Sequence, residues 1–332
     1  MDSIPPTPIS IIPPLTLIPP TPAPVSPPFA LPMVKPRPEK YRPATGSLRG
    51  RIVRNRFRIS QPLGKGGMSS VYLARDVYDG TLYAVKVLRA DRRLDEGFRW
   101  RFVNEVKAVR LIDHPAVVRV HDVGELGDGR LFLVMEYVPG VTLRRLIKSG
   151  PLDLGLAIPV ICTIADGLRA AHRRGVFHRD LKPGNVLIPR RTSPEAVAKV
   201  VDFGIARISG APTITNSAQI LGTPLYISPE QAAGDRVDHR TDIYSLGVMM
   251  YQVLTGVLPF FGKDSAALVR QHIHAVPRRP SEVRPDVPLP SGVEDLIMSC
   301  LAKKPWRRPQ EMREIIEVLS RQEGSSEPRY IN

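Results

Sequence analysis

His178-Arg179-Asp180-Leu181-Lys182-Pro183-Gly184-Asn185 is the stretch that decides how this chain reads, and Asp202-Phe203-Gly204 begins seventeen residues after Asn185. The first stretch offers a carboxylate to accept a hydroxyl proton, an ammonium for a phosphate and an amide oxygen for Mg²⁺. The second offers another carboxylate for the same metal. Asp180, Lys182, Asn185 and Asp202 at this spacing suit phosphoryl transfer from ATP. Any one of them alone would pass for a loop-capping group; the four together argue against that.

Two upstream features supply what such a site still lacks. Gly64-Lys65-Gly66-Gly67-Met68-Ser69 lies between two short strand-like stretches, 57–63 and 70–76. A hairpin whose backbone amides cover phosphates needs small residues at its tip. It is not a P-loop, because no helix and no Gly-Lys-Ser or Gly-Lys-Thr ending follows. Ala84-Val85-Lys86 sits on a third strand, 81–88, and Glu105 on the helical stretch after it. An ion pair between Lys86 and Glu105 is expected to aim the ammonium at the α- and β-phosphates.

The rest of the chain sets the frame. Residues 1–45 hold 15 of the 35 prolines among 332 residues. Proline fixes φ and removes donors, so residues 1–50 read as a disordered polyproline-II tail. A spacer is the simpler role, and docking on an aromatic groove the other. Ordered structure is expected from Phe57. Phe98, Phe102, Val106 and Val109 recur at helical spacing, and 117–123 and 131–137 read as two further strands. Past Pro139-Gly140 the pattern turns helical, over 157–174, 244–254, 264–273, 291–301 and 311–319. Pro159 is placed in the first turn of its helix. The fold class is α+β and bilobal: a five-stranded antiparallel sheet lobe with one main helix (57–138), and a larger, mostly helical lobe (139–320). A polar tail, 321–332, follows.

The net charge of +15 is not accompanied by any helix-turn-helix, zinc-finger or aromatic-basic signature, so no nucleic-acid partner is expected. Cys162 and Cys300 read as core residues of a reducing compartment. No run of 18 apolar residues appears, so no membrane span is expected, and the location reads as cytoplasmic.

With these motifs in view, the sequence resembles the eukaryotic-type protein kinase family, specifically its Ser/Thr members in bacteria. Met135-Glu136-Tyr137-Val138 resembles gatekeeper and hinge. Gly222 to Glu230 resembles the end of an activation segment, Asp242 to Gly247 the start of a central helix, and Arg308 the arginine that pairs with Glu230. The resemblance implies ATP with Mg²⁺, or Mn²⁺ in its place, and protein substrates carrying Ser or Thr. It implies that Asp180, Lys182, Lys86 and Glu105 serve catalysis and that Asn185 and Asp202 hold the metal. Leu63, Gly64, Gly66, Gly67, Ser69, Val71, Ala84, Lys86, Met135, Glu136, Val138 and Leu187 would surround the nucleotide. Val109, Val120, His178 and Phe203 would stack across the lobes, with His178 anchored by Asp242. His178, Phe203, Thr223, Glu230, Asp242 and Arg308 are therefore read as structural, and His172 as a packing residue.

Arg179 would pair with a phosphate on Thr213, Thr215 or Ser217, through autophosphorylation in a transient homodimer. Two departures are mild: Ser69 stands for the third loop glycine and Ser228 for the alanine of Ala-Pro-Glu. The link from Leu187 to Val200 is longer than the family's usual hairpin by about four residues. The alternatives are a nucleotide-binding pseudokinase or scaffold, a small-molecule phosphotransferase, and a chain whose main function lies in the proline tail.

Overall fold

The computed structural model describes residues 48–67, 69–89, 96–190, 197–203, 224–286 and 289–323. Thr213, Thr215, Ser217 and Thr223 lie outside the described residues, as do most of the proline-rich tail, the last nine residues and the middle of the Leu187–Val200 link.

The fold is bilobal and α+β. The small lobe holds β1 (Ile52–Val53), β2 (Phe57–Lys65), β3 (Ser69–Asp76), β4 (Leu82–Leu88), α1 (Glu96–Arg110), β5 (Val120–Glu125) and β6 (Leu131–Glu136). Its antiparallel sheet runs β1-β2-β3-β4-β6-β5. The sheet has six strands where the sequence suggested five. β1 was hidden because it is two residues long and set among arginines, too short to show an alternation. Leu48, before it, is already buried.

Strand alternation decides what faces the cleft. Tyr83, Val85 and Val87 of β4 pack with Phe132 and Val134 of β6 on one face of the sheet. Ala84 and Leu88 join Leu131, Leu133 and Met135 in the core shared with α1 and the large lobe. Lys86 lies between Ala84 and Leu88 in the strand and so projects from that second face. α1 seals it with Phe98, Phe102, Val106 and Val109, the four residues its spacing predicted.

The large lobe begins with β7 (Gly140–Thr142), α2 (Leu143–Leu146) and α3 (Leu154–His172). β8 (Val186–Pro189) and β9 (Lys199–Val200) join β7 in a second small sheet. There follow α4 (Pro229–Ala233), α5 (Arg240–Thr255), α6 (Ser265–His274), α7 (Pro280–Val283), α8 (Ser291–Cys300) and α9 (Met312–Glu323). α5 is the buried axis of this lobe: fourteen of its 16 residues are buried, as an all-round apolar helix must be. α3 starts at Leu154, earlier than expected, so Pro159 falls in the second turn and not the first. α3 is the one described helix long and apolar enough to cross a membrane, and half of that stretch is buried inside the lobe.

A backbone seam joins the lobes. Val118 donates to the Val200 carbonyl at 3.0 Å, and Val200 donates to Ala116 at 2.7 Å. This seam places β9, and Asp202 just beyond it, beneath the small-lobe sheet.

Candidate active site

Lys86 from β4 meets Asp202 from the large lobe, Nζ to Oδ1, at 2.8 Å. Both side chains are largely withdrawn from solvent, at 13% and 28% exposure, in the cleft between the lobes. Glu105 is not the partner of Lys86. It pairs instead with Arg179, Nη1 to Oε1, at 3.5 Å, which corrects the expected Lys86–Glu105 pair. Burial pushes the Glu105 carboxyl up from its ordinary range, and the Arg179 charge counters this only in part. Each of these two pairs joins a small-lobe group to a large-lobe group, and they pair crosswise to the expectation.

The stretch around Asp180 hangs from one buried carboxylate. Asp242, at the start of α5, accepts from the backbone N–H of His178 at 2.7 Å and of Arg179 at 2.8 Å. His172 Nε2 adds a third contact at 2.8 Å. Burial alone would raise the Asp242 carboxyl. The bond and charge of His172, with the bond from the His178 backbone N–H, outweigh it and hold the group below the usual carboxylate range. The sequence suggests only packing for His172, and its spacing from Asp242 carries no signal of this contact.

This grip holds Arg179 at φ 60° and helps offset a left-handed conformation that costs a non-glycine residue roughly 1–2 kcal/mol. Asp202 is held in the same region, at φ 61°. His178 accepts the Asp180 N–H at Nδ1, 3.3 Å away, so its Nε2–H donates to Val201 O at 3.0 Å. Both ring nitrogens are thereby engaged within the protein, and the ring lies 4.9 Å from that of Phe203.

Beyond Arg179, Lys182 Nζ donates to Asp180 Oδ2 at 2.6 Å. Asn185 Nδ2 donates to the Asp180 carbonyl at 2.9 Å and to its carboxylate at 3.2 Å. The Asn185 amide oxygen is thus the end turned away from this loop. Among the described residues no group of three or more His, Cys, Asp or Glu side chains is set to hold a metal alone. One carboxylate and one amide oxygen, Asp202 and Asn185, suit a hard octahedral cation that keeps its waters and shares phosphate oxygens. The donor set therefore fits Mg²⁺.

Above these groups, Val71, Ala84, Met135, Val138 and Leu187 belong to or pack against one apolar core. Leu63 is exposed on the lip. A Cβ placed on Gly64 or Gly67 would meet nothing within 4 Å, and neither residue has positive φ. Among the described residues the fold itself does not demand glycine at these two positions. Gly66 N–H donates to the carbonyl of Ser69 at 2.8 Å and closes the hairpin tip. Glu136 pairs with Lys199 of β9 at 2.8 Å, a contact the sequence reading missed, because a lysine in a short polar link resembles a solvated surface residue.

Below, Arg308 holds Glu230 by two bonds of 2.8 and 2.7 Å, both partners buried, as their motif implied. Burial would raise the Glu230 carboxyl, but the Arg308 hydrogen bonds and charge hold it below its ordinary range.

A two-lobed fold with a cleft lysine, a carboxylate beneath it and an anchored Asp-x-Lys loop defines a phosphotransferase of the protein-kinase class. The protein kinase domain family matches residues 57–319, and the chain belongs to it. It is 41% identical over 272 residues to serine/threonine-protein kinase pkn2 of Myxococcus xanthus, covering 81% of this chain and 32% of that one. It is equally 41% identical over 280 residues to PknB of Mycobacterium tuberculosis, covering 82% and 44%. The chain thus spans less than half the length of either relative. The crystal structure of the M. tuberculosis PknI kinase domain superposes with a TM-score of 0.67 at 27% identity, over 84% of this chain and 100% of that one. Within the family the chain is a bacterial-type Ser/Thr kinase domain, an enzyme of a class that typically uses ATP and Mg²⁺.

Proposed function

We propose that this protein transfers the γ-phosphoryl group of ATP to Ser and Thr hydroxyls of other proteins, in the cytoplasm. The observation that carries this reading is the 2.8 Å meeting of Lys86 with Asp202 above an anchored Asp180–Lys182–Asn185 loop. Asp180 orients the substrate hydroxyl and receives its proton. Lys182 steadies the transferring phosphoryl group. Lys86 positions the α- and β-phosphates, and the backbone at Gly64, Gly66 and Gly67 covers them. Asn185 and Asp202 would hold Mg²⁺, which when bound would neutralise phosphate charge and orient the leaving group. Val71, Ala84 and Leu187 enclose adenine, and the backbone at Glu136 and Val138 meets its edge.

The crosswise pairing bears on regulation. Arg179 is engaged by Glu105 in this arrangement. A phosphate on Thr213, Thr215 or Ser217 adds about −1.5 to −2 charge and competes for Arg179. Its capture releases Glu105 toward Lys86. Autophosphorylation between two copies is the source we propose for that phosphate.

Incubation with Mg²⁺·ATP and a protein library, read by mass spectrometry, tests both statements. Phosphate is expected on Ser and Thr of library proteins and on Thr213, Thr215 or Ser217, and less by about 100-fold or more with Asp180→Asn. Equal labelling by the two proteins would remove the assigned chemistry. Labelling of the library without any on those three residues would remove only the regulatory reading.

A further inference from the structure

Gln231 sits in the first turn of α4 and is buried. Its side chain reaches back across the lobe to the Asp180 loop. Nε2 donates to the Arg179 carbonyl at 2.8 Å, and Oε1 accepts from the Ser228 N–H at 3.3 Å. The amide orientation is dictated by chemistry: a carbonyl only accepts and an N–H only donates.

The bond falls at a consequential place. The Arg179 carbonyl belongs to the peptide that leads into Asp180. That peptide follows a residue held at φ 60°. Its N–H side is fixed by His178 at 3.3 Å, and the two preceding N–H groups by Asp242. Gln231 holds the carbonyl side. Relaxation of Arg179 out of the left-handed region would rotate this peptide and swing the Asp180 carboxylate with it.

Ser228 explains why the amide stays aimed. Its hydroxyl accepts the Gln231 N–H at 3.3 Å, and its own N–H holds Oε1, closing a capping box. Thr241 lies 3.4 Å from the same hydroxyl and donates to Glu230, which Arg308 clamps. The serine that replaces alanine before Pro229 thereby belongs to one buried polar chain with Gln231.

We infer that Gln231 is a positioning residue for Asp180: it fixes the Arg179–Asp180 peptide and ties it, through Ser228, to the segment ending at Pro229. This rests on the kinase reading above. Gln231 touches neither nucleotide nor hydroxyl, so its loss acts on kcat and spares nucleotide affinity.

Three variants test this. Gln231→Glu is isosteric and keeps an acceptor for Ser228, but it turns a carboxylate oxygen toward the Arg179 carbonyl. Gln231→Met removes both bonds. Ser228→Ala removes only the hydroxyl and covers the case in which Gln231→Met does not fold. Steady-state kcat, AMP-PNP affinity and melting temperature are measured on each, with kcat expressed per nucleotide-binding molecule. The expected result for Gln231→Glu is a kcat lower by about tenfold with AMP-PNP affinity within about twofold, the signature of a lost buried hydrogen bond that acts only on the reacting geometry. Ser228→Ala shows a smaller fall of the same kind. A kcat equal to wild type in Gln231→Glu, or nucleotide affinity falling in step with kcat, overturns the inference. Wild type without phosphoryl transfer removes the kinase reading itself, whereas an active wild type matched by Gln231→Glu removes only the role of Gln231.

Discussion

Glu105 and Arg179 stand 3.5 Å apart with 36% and 38% of their side chains exposed, whereas Glu230 and Arg308 are at most 6% exposed. A pair more than a third exposed at that distance contributes about 0–1 kcal/mol, so exchanging Arg179 for Lys86 as the partner of Glu105 costs little. Removing one member of a dry pair strands a buried charge and costs roughly 3–5 kcal/mol. Urea denaturation should therefore separate the two: Arg308→Leu loses roughly 3–5 kcal/mol of stability, and Arg179→Ala about 1 or less. Comparable losses would contradict this ranking. The ranking also accounts for what the sequence disclosed. Glu230 and Arg308 each lie beside a proline in a distinctive motif, and the motif names them as a pair. Glu105, Lys86, Arg179 and Asp202 share one cleft, and spacing names the four residues without naming the pairs. His172, Lys199 and Gln231 escaped because their partners are 70, 63 and 52 residues away and none sits in a pattern with chemical meaning of its own.

The elements tell a similar story through packing. α5 was legible because an apolar helix with so few solvated positions must lie inside. What the pattern did not disclose is how close its neighbour comes. A Cβ on Gly247 of α5 would stand 2.6 Å from the Cβ of Cys300 in α8. Gly247→Ala should force these two helices apart and cost about 1–3 kcal/mol, read as a lower urea midpoint. An unchanged midpoint would show that α5 and α8 have slack between them. β4 and β6 were legible as strands although both faces are buried, because β-branched and aromatic residues fill them between turn signals. The start of α3 was not: Gly155 interrupts the apolar pattern, and Pro159 looked like a first-turn residue when it is tolerated one turn further in.

At the scale of the whole molecule, buried titratable groups couple stability to pH. Burial, and then the Lys303 charge, push His272 down to about 3. The ring is neutral in the fold but takes a proton once unfolded, so stability falls as pH drops from 6.5 toward 3. Glu230 and Asp242 act in the same direction lower down. Their carboxylates are held below the ordinary range, and their contribution is lost as pH falls through the folded values. Lys303 is pushed down to about 8 from 10.5, chiefly by burial, so stability gains between those values as pH rises. Urea midpoints should climb from pH 4 to about 6.5, with a shallower limb in His272→Gln; above pH 9 the Lys303 gain is opposed by the Cys300 thiol, which burial pushes up to about 12. A flat profile between pH 5 and 6.5 would mean that His272 is not held neutral. The two lobes and their order along the chain were readable from the change of strand-like to helix-like patterning, and the nucleotide's place between them from the resemblance that the motifs carry.

That place is tested most directly by separating binding from chemistry. Single-turnover transfer of labelled γ-phosphoryl is measured alongside Mg²⁺·ATP affinity in wild type, Asp180→Asn and Asp202→Asn. Wild type should bind and transfer. Asp180→Asn should bind equally well and transfer slower by about 100-fold or more, as loss of a general base predicts. Asp202→Asn should lose the Mg²⁺-dependent part of its affinity. Transfer by Asp180→Asn at the wild-type rate, or Mg²⁺ dependence unchanged in Asp202→Asn, would contradict the convergence of Lys86, Asp180, Asn185 and Asp202 on one nucleotide.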